Sequence, residues 1–120
     1  MNTTPTEYQE CVTLTQYLEL LKDLQKIVLF SHIDQAKHIK SFATMARRRQ
    51  EGVRRGVPDY IIVTKSRTIF IEMKRAKAGV VSEDQKHWIE SLNNAGCYAF
   101  IAKGFDEAKL QLDRLLIDKA

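Results

Sequence analysis

The sequence predicts an α/β domain in which a mixed β-sheet is flanked by helices, in the order α-β-α-β-β-α-β-α. Two observations lead to this prediction. Segments with helical spacing of apolar residues alternate with short apolar runs typical of strands, and turn or capping residues separate them. The length of 120 residues fits one domain, predicted over residues 1–120. With 44% hydrophobic and 28% charged residues, the composition excludes a fibrous or disordered chain.

The first half of the chain contains two helical patterns on either side of a strand-like run. The first pattern has a clear apolar face, and Thr4 or Thr6 can cap it. The apolar side of the second pattern consists of Ile39, Phe42, Ala43 and Ala46. The predicted elements are a helix over 6–24, a strand over 27–33 and a helix over 37–50.

The second half contains a β-hairpin followed by a helix, a strand and a last helix. Pro58 is tolerated at the start of the first hairpin strand, and the three polar residues between the strands fit a short loop. Ser82 and Gln85 form a capping-box pattern that opens a helix ending near Asn94, with Gly96 at its C-terminal cap. The predicted elements are strands over 59–64, 68–74 and 97–102, a helix over 82–94 and a helix from residue 105 onwards.

The hairpin is predicted to bring acidic residues together at one end of the sheet. Because side chains alternate along a strand, Glu72 and Lys74 share a face with the apolar Phe70. Asp59 opens the preceding strand and is expected close to that charged end. Carboxylates at short range repel one another, and a hard cation such as Mg²⁺ or Mn²⁺ relieves the repulsion. The alternative is an exposed salt bridge of Glu72 with Lys74 or Arg75.

Two further acidic residues lie near the apolar face of the first helix. That face consists of Leu14, Leu18 and Leu21. At about 100° per residue, Glu7 and Glu10 each fall within roughly 30° of its centre. This position is anomalous for a carboxylate unless both residues lie in the first turn beyond the core edge, where the helix dipole favours negative charge.

The net charge of +4 is concentrated in one segment upstream of Asp59. Residues 37–55 carry a net charge of +6, with Glu51 as the single acid, and the rest of the chain carries −2. This distribution predicts a basic surface suited to a phosphate backbone, with a solvated helix face as the alternative. The basic residues of the segment are Lys37, Lys40, Arg47, Arg48, Arg49, Arg54 and Arg55.

The residues of the hairpin resemble a known nuclease signature. The segment Gly-Val-Pro-Asp at 56–59, followed after twelve residues by Glu-Met-Lys at 72–74, resembles the PD-(D/E)XK motif. Together with residues 82–88 and the Asn-Ala-Gly at 94–96, it resembles the VRR-NUC family, in particular its small stand-alone phage and bacterial members. The resemblance covers nearly the whole chain and implies a restriction-endonuclease-like fold. One departure lies at residues 32–36, where relatives commonly have Pro-Asn-Gly or Pro-Asn-Glu.

The resemblance implies a role for each charged residue of the motif. Asp59 and Glu72 match the metal-binding carboxylates, and the Met73 backbone carbonyl matches a further ligand. Lys74 matches the lysine that positions or activates the attacking water, or stabilises charge on the phosphate.

Two further assignments keep an alternative. Glu7 matches the family's acidic residue at the start of the first helix, and Glu10 is the alternative because helical geometry does not separate the two. Gln85 matches the family's glutamine on the helix after the lysine. It either points toward the site or closes the capping box with Ser82.

The resemblance implies a metal-dependent DNA endonuclease that uses Mg²⁺ or Mn²⁺ and acts on branched DNA, such as four-way junctions or flaps, or on duplex DNA. Cutting a junction requires two active sites, so a homodimer is expected. The alternative is a non-catalytic DNA-binding module on the same fold. No Gly-rich phosphate loop and no membrane-length apolar run are present, so neither a nucleotide cofactor nor a membrane is expected. Two cysteines and a polar start predict an intracellular protein, and the resemblance to phage and bacterial members implies the cytoplasm of a bacterial or phage-infected cell.

Overall fold

A computed structural model describes residues 4–33, 41–77 and 79–117 of the chain. In these ranges the strands form one mixed four-stranded sheet with helices packed on it, which confirms the predicted α/β class. No helix within the same ranges combines the length and apolar composition needed to cross a bilayer. The elements are α1 (Glu7–Asp23), β1 (Leu29–His32), α2 (Phe42–Gln50), β2 (Tyr60–Val63), β3 (Thr68–Lys74), α3 (Glu83–Asn94), β4 (Tyr98–Lys103) and α4 (Phe105–Leu115).

The sheet has the strand order β1-β2-β3-β4. Strand β2 pairs antiparallel with both β1 and β3, whereas β3 and β4 run parallel. Helix α3 forms the crossover connection that a parallel pair requires. The β2–β3 hairpin turns over residues 64–67, and its register places Tyr60 opposite Ile71. The residues that precede β2 therefore lie beside the charged end of β3.

The main core lies between the sheet and the helices α1 and α4. Its members include Leu14, Leu18, Leu21, Ile69, Ile71, Met73, Ala108 and Leu112, all of them buried. Because side chains alternate along β3, Glu72 faces the side of the sheet opposite to its neighbour Met73. There Gln85 of α3 contacts it. Helices therefore cover both faces of β3, and a carboxylate lies buried under α3.

Helix α1 begins with a capping box that fixes the position of its first turn. The Thr6 side chain accepts a hydrogen bond from the Gln9 backbone N–H at 3.1 Å, and the Gln9 side chain accepts one from the Thr6 N–H at 2.9 Å. Of the two predicted caps, Thr4 and Thr6, the structure selects Thr6. The cap places Glu7 at the first helical position, where α1 meets the charged end of the sheet.

Helix α2 lies at the surface of the domain. None of its residues is buried, and Phe42 is 95% exposed, so its predicted apolar side does not pack into the core. The predicted helical residues 37–40, with Ile39, lie outside the described residues. The last turn of α2 carries Arg47, Arg48 and Arg49, where the helix dipole favours positive charge.

Tyr60 connects the start of β2 to helix α1. Its ring is 2% exposed, and its hydroxyl lies 2.8 Å from the Thr15 hydroxyl and donates to the Cys11 carbonyl at 3.0 Å. Burial raises the pKa of Tyr60 to about 12; the hydrogen bond with Thr15 lowers it, and interactions with Cys11 and Asp59 raise it.

The raised pKa of Tyr60 predicts a specific dependence of stability on pH. The neutral phenol stabilises the folded state fully below about pH 10, and this contribution is lost as the pH rises toward about 12. We expect Tyr60→Phe to reduce the fall in the free energy of unfolding over this interval, by up to about 2–3 kcal/mol. Urea unfolding at several pH values measures the effect. The control is Tyr8→Phe, since Tyr8 is 77% exposed; the same pH dependence in both variants would contradict the prediction.

Candidate metal and nucleic-acid site

Three carboxylates meet at the end of the β2–β3 hairpin. Glu7, Asp59 and Glu72 each offer an oxygen, and these oxygens all lie within 4.8 Å of one another. Asp59 is 1% exposed and Glu72 is 0% exposed, whereas Glu7 is half-buried. The residues come from the first turn of α1, the approach to β2 and the second half of β3. Packing of three separate elements therefore creates this cluster.

Two hydrogen bonds fix the position of Asp59, one to its side chain and one to its backbone carbonyl. Its Oδ2 accepts a hydrogen bond from the Met73 N–H at 2.7 Å, and its carbonyl accepts one from the Ile33 N–H at 2.7 Å. The first bond links Asp59 directly to the middle of the Glu72-Met73-Lys74 segment. The alternative of an exposed salt bridge at this strand end is correct in its pairing of Glu72 with Lys74 and wrong in its exposure, because Glu72 is fully buried.

Glu72 is held by a lysine on its own strand and by a glutamine on α3. The Lys74 Nζ lies 3.6 Å from Glu72 Oε2, and the Lys74 side chain is 13% exposed. The Gln85 Nε2 donates to the same oxygen at 3.0 Å. Lys74 thus partly offsets the buried negative charge while its side chain remains slightly exposed.

Gln85 has both of the roles that the sequence left as alternatives, since it closes the capping box with Ser82 and also contacts the site. Its side-chain oxygen accepts a hydrogen bond from the Ser82 N–H at 2.9 Å, and Ser82 Oγ accepts one from the Gln85 N–H at 3.2 Å. This is a complete capping box. Because an amide carries a donor as well as an acceptor, the same side chain also contacts Glu72. Helix α3 is thereby joined to the carboxylate cluster.

Glu7 and Glu10, which helical geometry could not separate, have different environments. Glu7 belongs to the carboxylate cluster. Glu10 Oε2 accepts a hydrogen bond from the Phe105 N–H, the first helical residue of α4. Gly104, the N-cap of α4, has no side chain to cap the helix, and a Cβ at this position would come within 2.5 Å of Glu10 Oε2. Glu10 therefore connects α1 to α4 and substitutes for the missing cap.

The three carboxylates fit a hard divalent cation. All three donors are carboxylate oxygens, the ligand type that such ions prefer. Two of the groups are removed from water, and like charges this close repel strongly. Lys74 lies beside them, with its Nζ 3.6 Å from Glu72 Oε2. A divalent cation held by Glu7, Asp59 and Glu72 would reduce the repulsion among the three carboxylates.

The predicted basic surface is divided by helix α2 into two parts. Arg47 and Arg48 line a shallow depression beside α2. Arg49, Arg54 and Arg55 line a different cavity, together with residues of α3. Lys37 and Lys40 lie outside the described residues. The basic segment therefore has two surfaces, and one of them adjoins the helix that contacts Glu72.

Two residues near this site escaped prediction from the sequence. Lys103 lies directly beside Lys74 in the parallel register of β3 and β4 and is exposed. The predicted strand ended one residue before Lys103, and only the strand pairing brings the two lysines together. Trp88 is half-buried and lines the cavity that Arg49, Arg54 and Arg55 also line. The position of Trp88, one helical turn after Gln85, was the sequence signal that could have placed it near the site.

Comparison with known proteins identifies similar domains. A sequence model of the VRR-NUC domain matches residues 3–106. A solved structure described as a VRR_NUC domain protein superposes with a TM-score of 0.73 and 21% sequence identity, covering 94% of this chain and 89% of that one. At this identity the likeness supports the fold. No curated protein sequence matches the chain.

Glu7→Gln and Glu10→Gln form a matched pair of variants, with the same chemical change three residues apart. In EDTA we expect Glu7→Gln to be at least as stable as the wild type, because one of three repelling charges is removed. Glu10→Gln should lose about 0.3–1 kcal/mol, because a charge at the N-terminus of α4 is lost. With Mn²⁺ present, the wild type and Glu10→Gln should gain stability, and Glu7→Gln should gain less.

Urea unfolding of the wild type and both variants, in EDTA and in Mn²⁺, measures these differences. Glu19→Gln, at an exposed position of α1, controls for the loss of an acid elsewhere on the same helix. An equal gain from Mn²⁺ in Glu7→Gln and Glu10→Gln would mean that Glu7 takes no part in metal binding.

Proposed function

The chain belongs to the VRR-NUC family, a nuclease-type family, and from this premise we propose that it is a metal-dependent DNA endonuclease that hydrolyses phosphodiester bonds. The observation that supports this most strongly is the convergence of Glu7, Asp59 and Glu72, with Lys74 beside them. We treat residues 1–120 as one nuclease domain, because α4 packs into the same core as α1.

The proposed site would hold Mg²⁺ or Mn²⁺ on Glu7, Asp59 and Glu72, with the Met73 carbonyl as a further ligand. When bound, such an ion neutralises charge on the phosphate and lowers the pKa of an attacking water. Lys74 would orient that water or stabilise negative charge developing on the phosphate; its Nζ lies 3.6 Å from Glu72 Oε2, and its side chain is 13% exposed. The Gln85 side-chain amide donates a hydrogen bond to Glu72 and thereby fixes the orientation of that carboxylate.

DNA binding is proposed to use the basic residues around the carboxylate cluster. Arg54 and Arg55 lie immediately before the segment that carries Asp59, and Lys103 lies beside Lys74. Arg49 lines the same cavity as Arg54 and Arg55, and Arg47 and Arg48 form a second basic surface on α2. Contacts of this kind hold the phosphate backbone and set its position without reading the base sequence. Lys37 and Lys40 are proposed to add further phosphate contacts.

We propose branched DNA, a four-way junction or a flap, as the substrate, and a homodimer as the acting form. Two cuts across a junction require two active sites related by symmetry. Strand β1 is an edge strand of the described sheet, and Val28, Leu29 and Phe42 are exposed apolar residues near it in the chain. These residues are candidates for the contact with a second copy. The cytoplasm of a bacterial or phage-infected cell is the proposed site of action.

The cleavage reaction gives the direct test of this function. We expect Asp59→Asn and Lys74→Met to reduce Mn²⁺-dependent cleavage at least about 100-fold, because one removes a metal ligand and the other the only lysine that contacts Glu72 among the described residues. End-labelled linear, flap and four-way DNA, incubated with Mn²⁺ or with EDTA, gives the rates and the positions of the cuts. Lys22→Met, at an exposed position of α1, is the matched control.

Different outcomes test the DNA structure that is cut, the role of Lys74 and catalysis itself. Symmetric paired nicks in the four-way DNA alone select junction cleavage, and cuts in the flap alone select flap cleavage. Cleavage by Lys74→Met at the rate of Lys22→Met would contradict the assigned role of Lys74. Binding of DNA without cleavage of any substrate in Mn²⁺ would favour the non-catalytic DNA-binding module.

A further inference from the structure

A cavity of about 440 Å³ lies between the end of α2, the segment that leads into β2, and helix α3. Its volume falls in the range of about 300–1,000 Å³ typical of small-molecule sites. The lining residues are Arg49, Arg54, Arg55, Asp84, His87, Trp88 and Ser91. The cavity is separate from the carboxylate cluster, but Trp88 follows Gln85 by three residues, about 4.5 Å along the axis of α3.

The two walls of the cavity are held in place by backbone contacts. Gly56 has a φ of +91°, and a Cβ at this position would come within 2.5 Å of the Asp84 carbonyl. Only glycine allows this approach of the loop to α3. The Arg54 guanidinium donates to the Arg49 carbonyl at 3.0 Å and to the Val53 carbonyl at 3.2 Å. Arg54 is therefore held against the end of α2, and Arg49 and Arg55 are left to contact a ligand.

The chemistry of the lining favours a ligand with a negative charge and a flat ring. The lining contains three arginines and one acidic residue, Asp84, so the cavity has an excess of positive charge. Guanidinium groups bind phosphate oxygens in a bidentate manner. The indole of Trp88 is half-buried and offers the kind of surface on which a nucleobase stacks. A phosphate joined to a base is a nucleotide.

We propose that this cavity receives one unpaired nucleotide of the DNA substrate, with its base stacked on Trp88 and its phosphate bound by Arg49 and Arg55. This inference rests on the proposed nuclease function and specifies the form of its substrate. Bases in an intact duplex are stacked within it and do not reach such a pocket. The cavity therefore selects DNA that has a single-stranded tail or an opened branch point.

Tryptophan fluorescence tests the proposal directly, because Trp88 is the only tryptophan of the chain. The full-length protein is titrated in EDTA, so that binding is measured without cleavage. The probes are a blunt duplex, the same duplex with a short unpaired tail, the tailed duplex with abasic sites in the tail, and free deoxynucleoside monophosphate. We expect saturable quenching by the tailed duplex only, since an abasic tail keeps its phosphates but has no base to stack.

Variants test the same contact through the affinity for fluorescently labelled DNA. Trp88→Ala should weaken binding of the tailed duplex on the order of tenfold, the loss expected for one base–aromatic stack, and leave the blunt duplex unchanged. Trp88→Phe should retain most of the affinity because it keeps an aromatic ring. Arg55→Gln should weaken binding of the tailed duplex and reduce its dependence on salt. Arg114→Gln, an exposed position of α4 outside the cavity, is the matched control.

The outcomes separate this proposal from the nuclease function. Equal quenching by blunt, tailed and abasic DNA would overturn it, as would quenching by the free nucleotide with none by the tailed duplex. If Trp88→Ala fails to fold, Trp88→Phe and the titration of the wild-type protein still test whether an unpaired base stacks on Trp88. Cleavage in Mn²⁺ together with equal binding of tailed and abasic DNA would support the nuclease function and contradict the nucleotide pocket. Base-dependent quenching without any cleavage in Mn²⁺ would support the nucleotide pocket and contradict the nuclease function.

Discussion

Electrostatic repulsion among Glu7, Asp59 and Glu72 is the constraint around which the domain is organised. Their oxygens lie within 4.8 Å of one another, and two of the groups are almost completely removed from water. Such an arrangement is unfavourable by itself, and the surrounding structure must hold it together. The Met73 amide, the Gln85 amide and the Lys74 ammonium group supply that compensation on the hairpin and on α3. A divalent cation bound by the three carboxylates would reduce their mutual repulsion further.

The same contacts make the geometry of the site depend on the whole domain. The first turn of α1 is fixed by its capping box and by the hydrogen bond from the Phe105 N–H to Glu10. The buried leucines of α1 hold the rest of the helix against the core. Helix α3 is fixed by a capping box that shares Gln85 with the site. A change in the core that shifted α1 or α3 would therefore move a carboxylate or its hydrogen-bond partner. Stability and activity are expected to change together at such positions.

The sequence predicted most of the sheet and the core of the site, because both depend on local patterns. Alternation along 68–74 and the register of a short hairpin were sufficient to bring Asp59 beside Glu72. The family resemblance favoured Glu7 over Glu10, but helical geometry did not separate them, because the partner of Glu10 is an amide 95 residues away along the chain. Lys103 and the cavity at Trp88 were missed for the same reason, since strand pairing and loop packing bring their neighbours from distant parts of the chain.

Paramagnetic broadening by Mn²⁺ in the NMR spectrum locates a bound ion without relying on activity. If the carboxylate cluster holds the ion, substoichiometric Mn²⁺ should first broaden the Met73 backbone amide and the Gln85 side-chain amide, and Mg²⁺ should reverse the effect by competition. The amide of Ser66, at the far turn of the hairpin and roughly 20 Å away, should be the least affected. Broadening centred on exposed acids such as Asp106 and Glu107, with a sharp Met73 signal, would show that the three carboxylates do not form the metal site.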